Sequence, residues 1–587
     1  MSTWDLSVFY PTLEAWEADL QKLTPKLDQL ASYQGKLGDF DAFKAYHLLE
    51  EETIKLIYQL YGYIHLSSDL NLKDLERSKR NQQMMLYFSN FQQKTAYVSP
   101  EIIALGEEKV MSFLEKDETL KPYAFGFRKL FMQQEHVLSH DQERLLSHFA
   151  PTQSIPSSLY QALAIVDAVD EKVQLENGKE VTVTLSNYRS LIPEVQTATD
   201  RKNVFEAAFK RYKEKKTAFA AIYNLVLQNQ SALYKSRKYP SALDAALFKN
   251  NIPTQVFHTL KDTVYQNTAP IKRYLALRTK HLNLEKHRTY DRFLKLANDT
   301  TKYPYEQARS LFFEAIEGFD PEFVNVQHKA LEDGRVDAYP SDGKRTGAYS
   351  SGFYGFPTFI LLNHDDTLDA VFTVAHEAGH SAHTLLANAN QPMQTANYTI
   401  FVAEIASTFN EHILLDYLLK TATTKEQKIN LLESAMDGIM GTFFRQTLFA
   451  NFEYEATQLV EKNIPITHES LSKIMIDLYQ HYYDIDIREE DGKPYVWAYI
   501  PHLYHTPFYV YQYATSFSAS LKIYQDMKKG DSNAMKRYIA LLKSGGSDFP
   551  VNQAALAGAD LTDPKTIMAV IERFNDLLNQ LEKALEE

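Results

Sequence analysis

Two histidines four residues apart enclose a glutamate in the run Val374-Ala375-His376-Glu377-Ala378-Gly379-His380. This spacing restricts the local fold more tightly than any other part of the chain. Residues four apart on an α-helix share a face one turn apart, so both imidazoles can reach a single ion. Leu368, Val371, Phe372, Ala375 and Ala378 recur at helical spacing after Asp365-Asp366-Thr367, which offers capping side chains at the start. Gly379 weakens such a helix by about 1 kcal/mol relative to alanine, so tertiary packing must hold it. Glu377 projects beside the histidine face, where it can take a proton from a water activated by the ion. The run reads as a catalytic zinc site.

A catalytic zinc needs a third protein ligand and one open position. Downstream, Val402, Ile405, Ala406, Phe409 and Ile413 predict a second helix on which Glu404 and Glu411 share a face. Either carboxylate suits the third position. The metzincin pattern would require Gly at position 383 and His at 386; this chain has His383 and Leu386, so that class is excluded.

Composition narrows the remaining possibilities. With Cys 0 there is no disulfide, no thiolate metal site and no cysteine nucleophile, which leaves His and carboxylate as ligands and suits an intracellular home. A net charge of -13 without any block of Lys or Arg argues against nucleic acid or an anionic membrane as partner. The N-terminus shows no basic region followed by an apolar stretch, and no apolar run approaches the ~20 residues of a membrane span. A cytoplasmic protein is expected. Its 587 residues exceed one typical domain.

Most of the chain has helical periodicity, as in Phe43 to Tyr58, Val204 to Leu233 and Val256 to Arg278. Two alternating segments flank Asn177-Gly178 between Val173 and Val183, predicting a small hairpin with a type I′ turn. From Arg335 to Asn363 the pattern changes: Gly343, Gly347, Gly352 and Gly355 punctuate loops, and Thr358 to Leu362 is an apolar run of strand length leading into the histidine helix. A strand there is placed to bind an extended peptide through main-chain hydrogen bonds. Near the C-terminus, Tyr499 to Ala514 packs two histidines and five tyrosines into one segment, a source of donors for an oxyanion.

Taken together, these pieces resemble the oligoendopeptidase F family, within the thimet-oligopeptidase-like group of zinc metallopeptidases. The resemblance rests on His376-Glu377-Ala378-Gly379-His380-Ser381-Ala382-His383, the Glu404 segment, the loop Gly343 to Tyr349, the run Pro507 to Thr515, Tyr239 to Leu243 and the tail Leu542 to Ser547. It implies a mainly α, two-lobed helical zincin of gluzincin-like type, with a small β-sheet beside the active-site helix and a deep substrate channel. In that family the third ligand is the first Glu of a Glu-x-x-Ser-x-x-x-Glu pattern, which is Glu404 to Glu411 here. His376, His380 and Glu404 are thus implied as ligands of one Zn²⁺, with Glu411 orienting a ligating histidine and Glu377 as general base. Relatives of the thimet type grip the tetrahedral intermediate with a His and several Tyr; among His502, His505, Tyr509 and Tyr511, the preferred pair is His505 and Tyr511.

The chain is accordingly expected to have an N-terminal helical lobe, 1–195, carrying the hairpin, and a catalytic zinc-peptidase domain, 196–587. The expected activity is internal cleavage of short unstructured peptides in intracellular peptide turnover, with no nucleic-acid or membrane partner. Oligomeric state is left open. An exopeptidase of related fold and a non-catalytic peptide-binding protein with structural zinc are the rival readings, and cobalt or manganese also suit His and carboxylate ligands.

Overall fold

The computed structural model describes residues 3–587. Helices dominate them, with five short strands: β1 (Glu171–Gln174), β2 (Glu180–Val183), β3 (Val336–Asp337), β4 (Tyr349–Gly352) and β5 (Thr358–Leu361). The mainly α class expected from the sequence is the observed one. The chain forms two compact units, each assembled from separate stretches. The first comprises the residues up to Glu135, Thr301–Leu418 and Ile523–Ala559; the second comprises His136–Thr300, Leu419–Lys522 and Asp560–Glu587.

The expected boundary between 195 and 196 falls inside the second unit, and the N-terminal helices up to Glu135 belong with the histidine helix. Burial of β5 explains this association. All four of its residues are buried, and residues distant in sequence supply the apolar cover. Phe9 stacks on Phe356 at 4.6 Å and lies 5.6 Å from Phe359, while the Trp4 indole N–H donates to the Ile360 carbonyl at 2.8 Å. Leu60 and Ile64 complete the same cluster.

In the first unit β3 pairs with β5 in parallel and β4 pairs with β5 antiparallel, so the order β3-β5-β4 leaves β4 at an edge. The sheet leads into helix α1 (Leu368–Asn390), which starts where the sequence predicts: the Thr367 side chain accepts from the Ala370 N–H, and Asp365 accepts from the Thr367 hydroxyl. Helix α2 (Ile400–Thr421) crosses α1 at Gly379. A Cβ on Gly379 would lie 2.5 Å from the Ala406 oxygen and 2.7 Å from Ser407 Cα. The glycine that weakens α1 is the residue that lets the two backbones touch.

In the second unit, β1 and β2 form the expected hairpin, with Glu171 opposite Val183 and Gln174 opposite Glu180. Its turn differs from the type I′ expectation. Gly178 has φ +83° and Asn177 is not in the positive region, while the Gly178 N–H donates to the Leu175 carbonyl at 2.9 Å. The loop therefore has three residues, with glycine in the left-handed position after an ordinary turn. The helical stretch from Val256 to Arg278 is two helices, Thr254–Gln266 and Ala269–His281, because Pro270 can begin a helix but not continue one. Helices α3 (Lys425–Ile439) and α4 (Arg445–Glu461) are joined by a π turn over Met440–Phe444. On α3, Glu433 meets Arg278 at 2.5 Å with both side chains fully buried, and Arg278 also donates to the Leu294 carbonyl at 2.6 Å. Those extra acceptors are what a buried ion pair requires.

Candidate metal centre

Helical spacing on α1 and α2 brings three donor atoms together inside the first unit. His376 Nε2 and His380 Nε2 are 3.2 Å apart, and Glu404 Oε2 lies 3.5 Å from the first and 3.6 Å from the second. Ligands about 2.0–2.1 Å from a tetrahedral ion are separated by roughly 3.3 Å, so this triangle has the dimensions of one face of a zinc site. His376 Nδ1 donates to Glu411 Oε1 at 2.5 Å, which leaves the Nε2 lone pair directed at the other two donors. Two imidazole nitrogens facing each other at this distance, with a carboxylate oxygen beside both, are a donor set that fits a divalent cation. The second carboxylate at the histidines, Glu411, meets His376 on its Nδ1 side, away from the three clustered donors.

The surroundings hold the triangle. Ser407 Oγ donates to Glu404 Oε2 at 2.8 Å, one turn further along α2. Asn410, fully buried, donates to the Ala375 carbonyl at 2.9 Å and so ties α2 to α1 just before His376. His383, one turn beyond His380, is fully buried and stacks on Tyr398 at 3.5 Å; burial and the charge of His380 lower it to about 3, which makes it a neutral packing residue.

Glu377 is buried at 6 % exposure, and its Oε2 has no hydrogen-bond partner among the described residues. The Ser350 N–H on β4 donates to its carboxylate. Burial first, opposed by the His376 charge and reinforced by Glu404, pushes the carboxyl up to about 7. A base poised there is matched to proton transfer near neutrality. Burial works to lower His376, but the bond to Glu411 and the charges of Glu411, Glu404 and Glu377 outweigh it and raise the imidazole to about 9. Burial and the His376 charge lower His380. None of Glu377, Glu404 and Glu411 meets a Lys or Arg at ion-pair distance among the described residues, so the site's negative charge is left for a cation.

His505 and Tyr511 lie in the second unit. A short helix, α5 (His502–His505), and helix α6 (Tyr511–Lys528) are separated by a bend in which Phe508 has φ +54°. His505 meets Ser157 Oγ through Nδ1 at 2.5 Å and sits edge-on to Tyr160. Tyr511 is 1 % exposed, its ring packs against Phe257 at 5.6 Å, and its hydroxyl has no partner among the described residues. The bend turns Tyr511 into the interior, which corrects the expectation that it faces substrate. The half-exposed groups of the segment are instead His502, Tyr509 and Tyr513: His502 Nε2 is 3.2 Å from the Tyr513 hydroxyl, and the His502 and Tyr509 rings stack at 5.6 Å.

A family model described as Peptidase family M3 matches residues 192–573, and one described as Oligopeptidase F matches residues 101–168. The chain is 33 % identical to Oligopeptidase PepF of Bacillus subtilis (strain 168), over 99 % of this chain and 87 % of the relative. It is 32 % identical to Group B oligopeptidase PepB of Streptococcus agalactiae serotype III (strain NEM316), over 99 % and 96 %. This chain belongs to peptidase family M3. Solved structures agree with that assignment: a crystal structure of a Chlamydophila abortus protein superposes with TM-score 0.90 at 30 % identity over 99 % of this chain and 98 % of the other, and oligoendopeptidase-F from Enterococcus faecium with TM-score 0.74 at 27 % over 97 % and 98 %.

As an M3 peptidase of the oligoendopeptidase F group, the chain is a metallopeptidase of oligopeptides, and the His376, His380, Glu404 cluster can hold its metal. Sequence reasoning assigned no role to Ser407 or Asn410. Ser407 was legible as the serine of the Glu-x-x-Ser pattern; Asn410 carries no spacing signal, because its partner is a backbone carbonyl on another helix. Among the described residues no helix is long and apolar enough to cross a membrane.

Proposed function

We propose that this M3 peptidase is a zinc-dependent endopeptidase that cleaves internal bonds of short oligopeptides. The triangle of His376, His380 and Glu404, with the Glu377 Oε2 beside it unpartnered among the described residues, carries the reading. Zinc held by these three residues would polarise the scissile carbonyl and acidify a water. Glu377 accepts the proton of the attacking water and passes a proton to the departing amine. Glu411 keeps His376 in the ligating tautomer, and Ser407 fixes the Glu404 oxygen. The free edge of β4 offers backbone groups to an extended peptide next to Glu377, and such pairing accepts many side chains. For the oxyanion, the resemblance calls on the aromatic segment, whose half-exposed donors are His502, Tyr509 and Tyr513. A chain with Cys 0 does not depend on an oxidising compartment, which supports cytoplasmic peptide turnover.

Hydrolysis of a short peptide blocked at both ends, with products identified by mass, tests the reading. Internal cleavage is expected to vanish on chelation, return with zinc, and be absent in Glu377→Gln despite retained metal. Trimming of free-ended peptides alone would move the assignment to an exopeptidase, and binding without cleavage to the non-catalytic rival.

A further inference from the structure

The tail Leu542 to Ser547 lies in the first unit, against the link between the two helices of the metal centre. That link is short, since α1 ends at Asn390 and α2 starts at Ile400. Helix α7 (Ala534–Lys543) delivers the tail, and Tyr538 on α7 stacks on Phe409 of α2 at 3.9 Å. Beyond α7, the Gly546 N–H donates to the Thr395 carbonyl at 2.7 Å. The Gln391 amide reaches the other way and donates to the Lys543 carbonyl at 3.0 Å. Gln553, 3 % exposed, holds the tail from behind: its Nε2 donates to the Gly545 carbonyl at 2.8 Å and to Ser544 Oγ at 2.7 Å.

Only glycine permits this contact. A Cβ on Gly546 would overlap the Asn397 carbonyl oxygen and stand 3.2 Å from its carbon, and one on Gly545 would overlap the Thr395 oxygen and lie 2.9 Å from that of Ala396. All four are backbone atoms, which cannot swing aside as the end of a side chain can. Gly545 also needs the left-handed region, with φ +52°, whereas Gly546 lies outside it. The link is keyed in turn to α1. Thr384 Oγ lies 2.7 Å from the Tyr398 hydroxyl, which donates to the His380 carbonyl at 3.4 Å. The Thr399 carbonyl then opens α2 by accepting from the Val402 and Ala403 N–H groups, immediately before Glu404.

A carboxylate so near the start of α2 moves with that start, and a metal site works only while its ligands are held to within about 0.5 Å. We infer that Gly545 and Gly546 are positioning residues of the metal centre. Seated on the carbonyls of Thr395, Ala396 and Asn397, they fix the link and with it the distance from Glu404 to His376 and His380. The inference rests on reading those three donors as a metal site, and metal binding by the parent chain tests that reading by itself.

The full chain, stripped of metal, is titrated with zinc against a competing chelator, and kcat and KM are measured on a short peptide at saturating zinc. Gly546→Ala adds the overlap without left-handed strain. It is expected to weaken zinc binding by about tenfold or more and to lower kcat by a similar factor, with KM within about twofold of the parent. Gln553→Ala frees the tail without adding volume and should give a smaller loss of the same kind. Should Gly546→Ala not fold, Gln553→Ala decides, and zinc affinity equal to the parent's then overturns the inference. The control is Leu23→Ala, at a fully buried residue of the same unit in the cluster of Trp16 and Leu60. It should lower the melting temperature and leave zinc affinity unchanged. Equal loss of zinc in Leu23→Ala and Gly546→Ala would reduce the effect to general loosening and overturn the inference, as would parent-like zinc affinity in Gly546→Ala. A parent chain that binds no zinc would remove the metal-centre reading, and the inference with it.

Discussion

Glu411 Oε1 stands 2.5 Å from His376 Nδ1, so the residue seven positions beyond Glu404 leaves Nε2 as the nitrogen of His376 that can take a metal. Removing that partner should lower metal affinity by about 10–100-fold with the fold intact. Glu411→Ala is expected to release metal to a competing chelator at correspondingly lower concentration, while Glu411→Gln, which keeps an acceptor oxygen, recovers part of the loss. Equal affinity in the parent and in Glu411→Ala would show that packing alone orients the ring.

Gly379 gives a second prediction. Alanine would gain about 1 kcal/mol of helix propensity. Its Cβ would nevertheless overlap the Ala406 oxygen and Ser407 Cα, both backbone atoms, so α1 and α2 must part. Overpacking of this kind costs about 1–3 kcal/mol, and parting moves Glu404 away from the histidines. Gly379→Ala should therefore lower the melting temperature and the bound metal together. A variant of raised stability with full metal content would contradict the close crossing.

Among the tyrosines of the C-terminal segment, turnover should separate by burial. Tyr511→Phe removes a buried hydroxyl that has no partner among the described residues and is expected to leave kcat unchanged and stability equal or higher. Tyr509→Phe and Tyr513→Phe should lower kcat by about 10²-fold if their hydroxyls serve the oxyanion. Loss of turnover in Tyr511→Phe with the other two unaffected would reverse the assignment.

Glu453 supplies a pH prediction. It is buried, accepts from the Phe508 N–H at 2.6 Å, and has no cationic partner at ion-pair distance among the described residues. Burial pushes its carboxyl up to about 8, with the Phe508 bond pulling the other way. The unfolded value is about 4.3, so between the two the folded chain holds the extra proton. Its stabilising share is full below about pH 4 and is lost as pH rises towards 8. Glu453→Gln stays neutral and keeps an oxygen for Phe508, so it should lose less stability than the parent between about pH 5 and pH 8, by up to a few kcal/mol. Denaturation curves of both proteins at the two pH values measure the difference; identical pH dependence would mean that Glu453 is charged or solvated in the folded chain.

What the sequence revealed follows the range of the forces involved. The histidine pair, the Thr367 cap, β5 and the second helix were legible because each depends on neighbours within a few turns. Gly379 read only as a weakness, since its reason is a carbonyl on α2. The choice of Tyr511 followed the resemblance, and the left-handed Phe508 turns the backbone between His505 and Tyr511 so that the Tyr511 ring enters the interior. A left-handed phenylalanine is not a residue that composition would suggest; the buried Glu453 that receives its N–H lies far away in the chain. The division of the chain was hidden for the same reason, because Trp4 and Phe9 are joined to β5 by contacts that no periodicity records.

The π turn between α3 and α4 works as a phase adjustment in an otherwise continuous rod. On α3, Glu433 is fixed against Arg278; on α4, Arg445 and Glu453 direct ionisable groups into two different neighbourhoods. One residue of an α-helix corresponds to about 100° of rotation. Deleting Gly441 would therefore remove the residue that the turn absorbs and join α3 to α4 as one continuous α-helix, with Arg445 and Glu453 kept close to their present phase. A one-residue deletion is thus absorbed at this point, whereas the same deletion elsewhere along the rod would turn everything beyond it by about 100°.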